Sequence, residues 1–227
     1  MTNRVVSVLF AALLLLAAPV ALADGNSTLT LTSPGSNVMG GVYVGPYTFT
    51  VNSGGQSSQL ELVCDDFKDE VFPGESWQAL SSTLPTLNNV QFSGLTQYEQ
   101  VAYLVEQMFA NSNNPETVGD IQWAIWDILD PGVSSSDPYG TISAQDQSNI
   151  AGWLAAAQAN SASGEYSDLL IYTPIPGTQP GPDGPPQEYV AMTPEPGTLA
   201  LFGIGLLSLS ILARRRIKAA RIQQDVA

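Results

Sequence analysis

The 227-residue chain contains no histidine. That absence excludes Ser-His-Asp and Cys-His nucleophilic catalysis and every imidazole metal site. There is one cysteine, Cys64, so no disulfide can form within the chain. A lone thiol is buried and inert, paired with another chain, or chemically used. Basic residues are scarce, seven against 21 acidic ones. Arg4 lies near the start, and Arg214, Arg215, Arg216, Lys218 and Arg221 lie near the end, so Lys68 is the one basic residue between positions 24 and 193. Glu195 and Asp225 lie beyond that region, which leaves 19 acidic residues against one lysine and a net charge near −18. Such a field repels phosphates and excludes nucleic acid as a partner. No phosphate-binding loop is present, no carboxylate pair is placed for glycoside hydrolysis, and no cofactor is expected.

What is present begins with two patterned ends. Arg4 precedes an apolar run, Val5 to Ala18, and Ala21-Leu22-Ala23 has the small-x-small form of a cleavage site. Residues 1–23 therefore read as a secretory signal peptide, with the mature chain starting near Asp24. The alternative is an uncleaved anchor, for which the run is short and interrupted by Pro19. At the other end Pro194-Glu195-Pro196 precedes an apolar run of 15 residues, Leu199 to Ala213, and then the stop-transfer cluster Arg214-Arg215-Arg216. Arginines beside an apolar segment read as the cytoplasmic end of a span. The run is short for a transmembrane helix, and Gly203 and Gly205 weaken it further.

These C-terminal residues resemble the PEP-CTERM sorting signal of Gram-negative bacteria. The resemblance implies a processing partner, an exosortase-type membrane protease that recognises the motif and removes the tail. It assigns 194–216 to the sorting signal with its transmembrane helix, and 217–227 to a basic cytoplasmic tail longer than is usual in the family. The implied location is the cell envelope: the inner membrane before sorting, through the C-terminal helix, then the cell surface or extracellular matrix. An ordinary C-terminal anchor is the alternative.

Residues 24–193 are ample for a single domain with a core. Leu29, Leu31, Val42, Val44, Tyr47 and Phe49 alternate with polar or small residues, which predicts strands between Ser27 and Val51. Asn52-Ser53-Gly54-Gly55 predicts a turn, and Leu60 to Cys64 a further strand. Helical spacing follows from Tyr98 to Ala110. A second helix is predicted from Asn114-Pro115, a cap followed by a first-turn proline, to the stop at Asp130-Pro131-Gly132. A third opens at Ser143 to Asp146, a capping-box pattern, and is expected to bury Ile150, Trp153, Leu154 and Ala157. Asp168 to Thr173 and Gln187 to Met192 read as closing strands joined by a Pro/Gly loop. The expected class is α+β: a single β-rich domain with an inserted helical region.

Two segments of this domain carry the candidate chemistry. Val63-Cys64-Asp65-Asp66-Phe67 places the thiol at a strand end, and Ile121-Gln122-Trp123-Ala124-Ile125-Trp126 places a glutamine on a strongly apolar helix. Gln122 and Trp126 share a helix face, so Gln122 is expected to be at least partly buried. A thiol beside a buried carboxamide can displace ammonia and form a thioester, an acyl electrophile open to amines. These segments resemble the Cys-Gln thioester domains of bacterial surface adhesins, with Cys64 as thiol and Gln122 as acyl donor. Residue 121 is isoleucine where that family carries a polar threonine. The resemblance implies a single-use adhesion module, not an enzyme, that attaches covalently to a cell-surface or matrix ligand bearing amines. The alternative is a structural or exopolysaccharide-associated envelope protein with an inert Cys64. The scarcity of lysine suits a thioester, although Lys68, four residues from Cys64, must be kept away from it. Asp65, Asp66, Asp69 and Glu70 form an acidic cluster without the glycine-pinned loop of a calcium site, and are expected to be a solvated face with no metal.

Overall fold

The computed structural model describes residues 25–92, 94–135, 142–161, 166–179 and 185–193, with Gly203, Gly205, Leu206 and Ser210. The signal peptide, the Pro194-Glu195-Pro196 motif, the apolar run, the arginine cluster and the basic tail lie outside the described residues, apart from those four positions of the run. No helix among the described residues is long and apolar enough to cross a membrane.

Among the described residues eight strands form in chain order: β1 (Asn26–Ser33), β2 (Val38–Met39), β3 (Val42–Tyr43), β4 (Tyr47–Ser53), β5 (Gln56–Cys64), β6 (Ser76–Thr83), β7 (Leu169–Pro174) and β8 (Tyr189–Met192). Three helices, α1 (Leu95–Ala110), α2 (Pro115–Leu129) and α3 (Ala144–Asn160), are inserted between β6 and β7. Six strands close an antiparallel barrel in the order β1-β4-β5-β8-β7-β6, with β6 pairing back onto β1. Closure is completed by a short β5–β8 ladder, Val63 with Val190 and Cys64 with Tyr189, so each barrel strand has a partner on both sides for at least part of its length. β2 and β3 make a separate two-stranded hairpin.

The local sequence accounts for most of these elements. In β1 and β4 the inward positions Leu29, Leu31, Tyr47, Phe49 and Val51 are buried in alternation, the period of a strand with one face on the core. Ser53 pairs with Gln56, so β4 and β5 are joined by Gly54-Gly55 alone. Both glycines have positive φ, 57° and 78°, as a two-residue turn matched to strand twist requires. β7 and β8 depart from alternation: Leu169 to Thr173 are buried at every position, as are Tyr189 to Ala191. One face of these strands looks into the barrel, and the helical layer covers the other, with α1 packed on β8. The barrel interior is aromatic. Phe49 meets Trp77 edge-on at 5.8 Å and Tyr189 at 4.6 Å between ring centroids.

α2 begins as its sequence predicts. The Asn114 side chain accepts from the Thr117 amide, and Pro115 occupies the first turn. α3 opens on Ser143, whose hydroxyl accepts from the Asp146 amide at 3.1 Å. Its expected apolar face is only half realised. Ile150 and Ala157 are buried, whereas Trp153 and Leu154 are partly exposed, because α3 packs on α1 and α2 as an outer layer. β6 has no counterpart in the sequence reading. Its polar run Ser81-Ser82-Thr83 hides the alternation, and ladder bonds from β1 on one side and β7 on the other define it. The β-rich domain with inserted helices is as expected; its closure into a barrel depends on that strand.

Phe49 is fully buried and packs edge-on against both Trp77 and Tyr189. Phe49→Ala is expected to cost about 3–5 kcal/mol of stability, read as a lower urea midpoint with an unchanged slope.

Candidate functional site

Cys64 is the last residue of β5, and Gln122 lies in the second turn of α2; both are 0 % exposed. The barrel and the helical layer bring them together across 58 positions of sequence: Gln122 Nε2 donates to the Cys64 carbonyl oxygen at 2.6 Å. On the other side of the carboxamide, the Gly45 amide donates to Oε1 at 3.4 Å. One donor and one acceptor of fixed identity set the orientation of the amide. Gly45 has φ 103°, and a Cβ there would come within 2.7 Å of Val118 Cγ1, so the chain approaches α2 closely enough to reach Gln122 only as glycine.

The thiol is held as tightly as the amide. Cys64 Sγ donates to the Asp66 carbonyl oxygen at 3.0 Å. Burial pushes its pKa well up, and Asp66 and Asp65 push it further; the Asp66 backbone contact and the Trp126 indole offset this in part. The sulfur is therefore a neutral thiol at neutral pH, not a standing thiolate. Around the pair lies a second aromatic cluster, with Phe67 5.2 Å from Trp123 and 5.1 Å from Trp126, which excludes water from the amide.

The acidic cluster is not the solvated face that its composition suggested. Asp65 and Asp66 are 1 % and 0 % exposed; only Asp69 and Glu70 reach solvent. Asp66 is buried because its carboxylate closes the chain reversal after β5. Oδ1 accepts from the Lys68 amide at 2.9 Å, and Oδ2 accepts from Gln91 Nε2 at 2.5 Å. Asp65 lies beside Glu188, which is also fully buried and accepts from Tyr98, Thr173 and the Gln91 amide. Burial raises the Asp65 pKa well above the ordinary range, with Glu188 and Asp66 adding to the effect, which favours its neutral form. This knot clamps the end of β5 against β8 and holds Cys64 in place. Glu188 was missed in the sequence, although an acidic residue within an otherwise apolar strand is itself a signal of a buried partner. Lys68 turns outward and pairs with Asp130 at 3.2 Å, which keeps its amine from Cys64.

The arrangement can support acyl chemistry at Gln122: a nucleophilic sulfur, a carboxamide with a backbone N–H on its oxygen, and a dry enclosure. Residues 193–216 match the model of the PEP-CTERM protein-sorting motif. That motif indicates an exosortase-sorted exported envelope protein and implies membrane anchoring before sorting. No curated protein and no solved structure matches the chain. The matched segment is the tail and not the β-rich domain, so the comparisons lend the thioester resemblance no support, and the chemistry of the domain is argued from its own geometry.

The buried carboxyls carry a stability signature. Burial raises Asp66 and Asp120 from the ordinary 3.8 to about 6. An acid with a raised pKa binds its proton more tightly in the folded state, so its contribution is complete below about pH 3.8 and is lost as pH rises through about 6. The urea midpoint is therefore expected to fall between pH 4 and pH 7, and Asp66→Asn to flatten that slope.

Proposed function

We propose that the exported domain is a surface adhesion module whose Cys64 and Gln122 form an internal thioester for covalent attachment to amines. The observation that carries this reading is the contact of the Gln122 carboxamide with Cys64, fully buried and with the Gly45 amide on its oxygen. In the proposed reaction Sγ bonds to Gln122 Cδ, the carbon–nitrogen bond breaks, and the thiol proton leaves with the nitrogen as ammonia. Because the thiol is neutral, its proton must move as the carbon–sulfur bond forms. The Gly45 amide stabilises the negative charge that develops on Oε1. A partner amine then attacks the acyl carbon, and the sulfur leaves as a thiol. The bond is consumed once, so the module is not a catalyst. The sorting tail suits this role, since it delivers the domain to the cell surface, where amine-bearing ligands lie.

The test is the intact mass of the freshly purified full chain under denaturing conditions. The expected mass is lower by one ammonia, and either Cys64→Ala or Gln122→Ala abolishes that deficit. Unfolded wild-type chain should also resist iodoacetamide. A full mass with complete thiol labelling would overturn the reading in favour of a structural or exopolysaccharide-associated role with an inert Cys64.

A further inference from the structure

The β5–β8 seam closes the barrel with two residue pairs, against four to seven in each of the other barrel ladders. It has the fewest backbone bonds to lose. One position beyond Cys64 and Tyr189, the antiparallel register sets Asp65 opposite Glu188, and the Asp65 amide donates to the Glu188 carbonyl oxygen at 3.4 Å. Residues directly opposed on antiparallel strands bring their side chains together on one face. Here both side chains are carboxyls, and both are buried.

The surroundings treat the two carboxyls differently. Tyr98, Thr173 and the Gln91 amide all donate to Glu188. Neither oxygen of Asp65 has a hydrogen-bond partner. The group beside them is the Glu188 carboxyl, and two carboxyls bond to each other only through a proton. No neighbour offers a positive charge instead. The segment of Asp65 itself supplies Cys64 and Asp66, β8 adds Tyr189, α1 adds Tyr98, and β7 brings the uncharged Thr173. Asp69 lies further out, beyond Gln91, and Lys68 is drawn to Asp130. Among the described residues no three cysteine or acidic side chains are arranged to hold a metal ion.

We propose that Asp65 and Glu188 hold one proton between them in the folded chain, and that opening of the β5–β8 seam releases it. In the closed seam the Asp65 O–H bonds to the Glu188 carboxylate, so the pair buries one negative charge, which the three donors on Glu188 meet. In the open seam water hydrates both groups, the Asp65 O–H dissociates, and the proton passes to solvent. A carboxyl that keeps its proton only in the closed state supports closure fully below its ordinary 3.8, and that support is lost as pH rises through the raised value of the closed state. Acid therefore tightens the seam and alkali loosens it. An exported domain meets the external pH directly. Cys64 belongs to the seam, so the shared proton sets how firmly its backbone is held. This coupling does not depend on the thioester reading, since it needs neither the sulfur nor the carboxamide.

Hydrogen exchange on the full chain tests it, read by mass on peptides that carry Val63 to Asp65 and Glu188 to Val190. Asp66 and Asp120, raised to about 6, are ionised by about pH 7, so above that point the shared proton is the one left to couple. From about pH 7 to about pH 8 the opening constant, corrected for intrinsic exchange, should rise about tenfold in the wild-type chain. It should stay level in Asp65→Asn, whose amide donates to Glu188 without titrating. Infrared spectra of the wild-type chain at about pH 8 need no variant, and one protonated carboxyl should remain there. An opening constant level with pH in the wild-type chain, an equal slope in Asp65→Asn, or no protonated carboxyl in the spectrum would overturn the proposal. So would calcium that slows exchange in the wild-type chain but not in Asp65→Asn, because the space between the carboxyls would then hold a cation. The mass deficit of one ammonia is read separately, so the thioester reading stands or falls without altering these outcomes.

Discussion

A carboxamide buried on an apolar helix must find partners or cost the fold about 1–3 kcal/mol. Gln122 meets that demand with the Cys64 carbonyl at the end of β5 and the Gly45 amide just before β4. This pairing ties the inserted helical layer to the barrel at one point and in one orientation. Much of the surrounding structure follows from it. Gly45 must lack a side chain to come near enough, and the aromatic cluster of Phe67, Trp123 and Trp126 closes over the junction. The same contact that satisfies the buried amide also brings it to the backbone of Cys64, so the requirement of stability and the proposed chemistry fall on the same residue.

The acidic residues next to Cys64 act on the fold in a different way. Asp65, Asp66 and Glu188 place three carboxyls in the interior, and buried like charges without a counter-ion are costly. The structure lowers that cost by favouring the neutral form of Asp65 and by surrounding Glu188 and Asp66 with donors from Tyr98, Thr173, Gln91 and the backbone. The result is a polar knot between β5 and β8, where the barrel ladder is short. It also explains why a strongly acidic domain need not display all its charge. Asp69 and Glu70 remain at the surface.

Local elements were legible wherever chemistry between near neighbours decides them. The Gly54-Gly55 turn, the Asn114 and Ser143 caps and the apolar periods of α1 and α2 can all be read from a few adjacent residues. β6 was not legible, because its polar residues become a strand only between two partners that lie far away in sequence. The acidic cluster was misread for a related reason. Composition favours solvation for four carboxylates in a row of six residues, and the burial of Asp66 depends on a donor from distant Gln91 that composition does not reveal.

The sequence by itself determined the exported and sorted character of the protein, because sorting signals are short linear patterns read by the machinery before or apart from folding. It also determined the class of the domain and singled out Cys64 and Gln122 as its unusual residues. Only the tertiary structure decided that these two meet, that Gly45 completes the pair, that Lys68 is kept away and that Asp65 is buried beside Glu188. Each of those facts depends on contacts between segments distant in the chain, and such contacts exist only once the barrel has closed and the helices have packed against it.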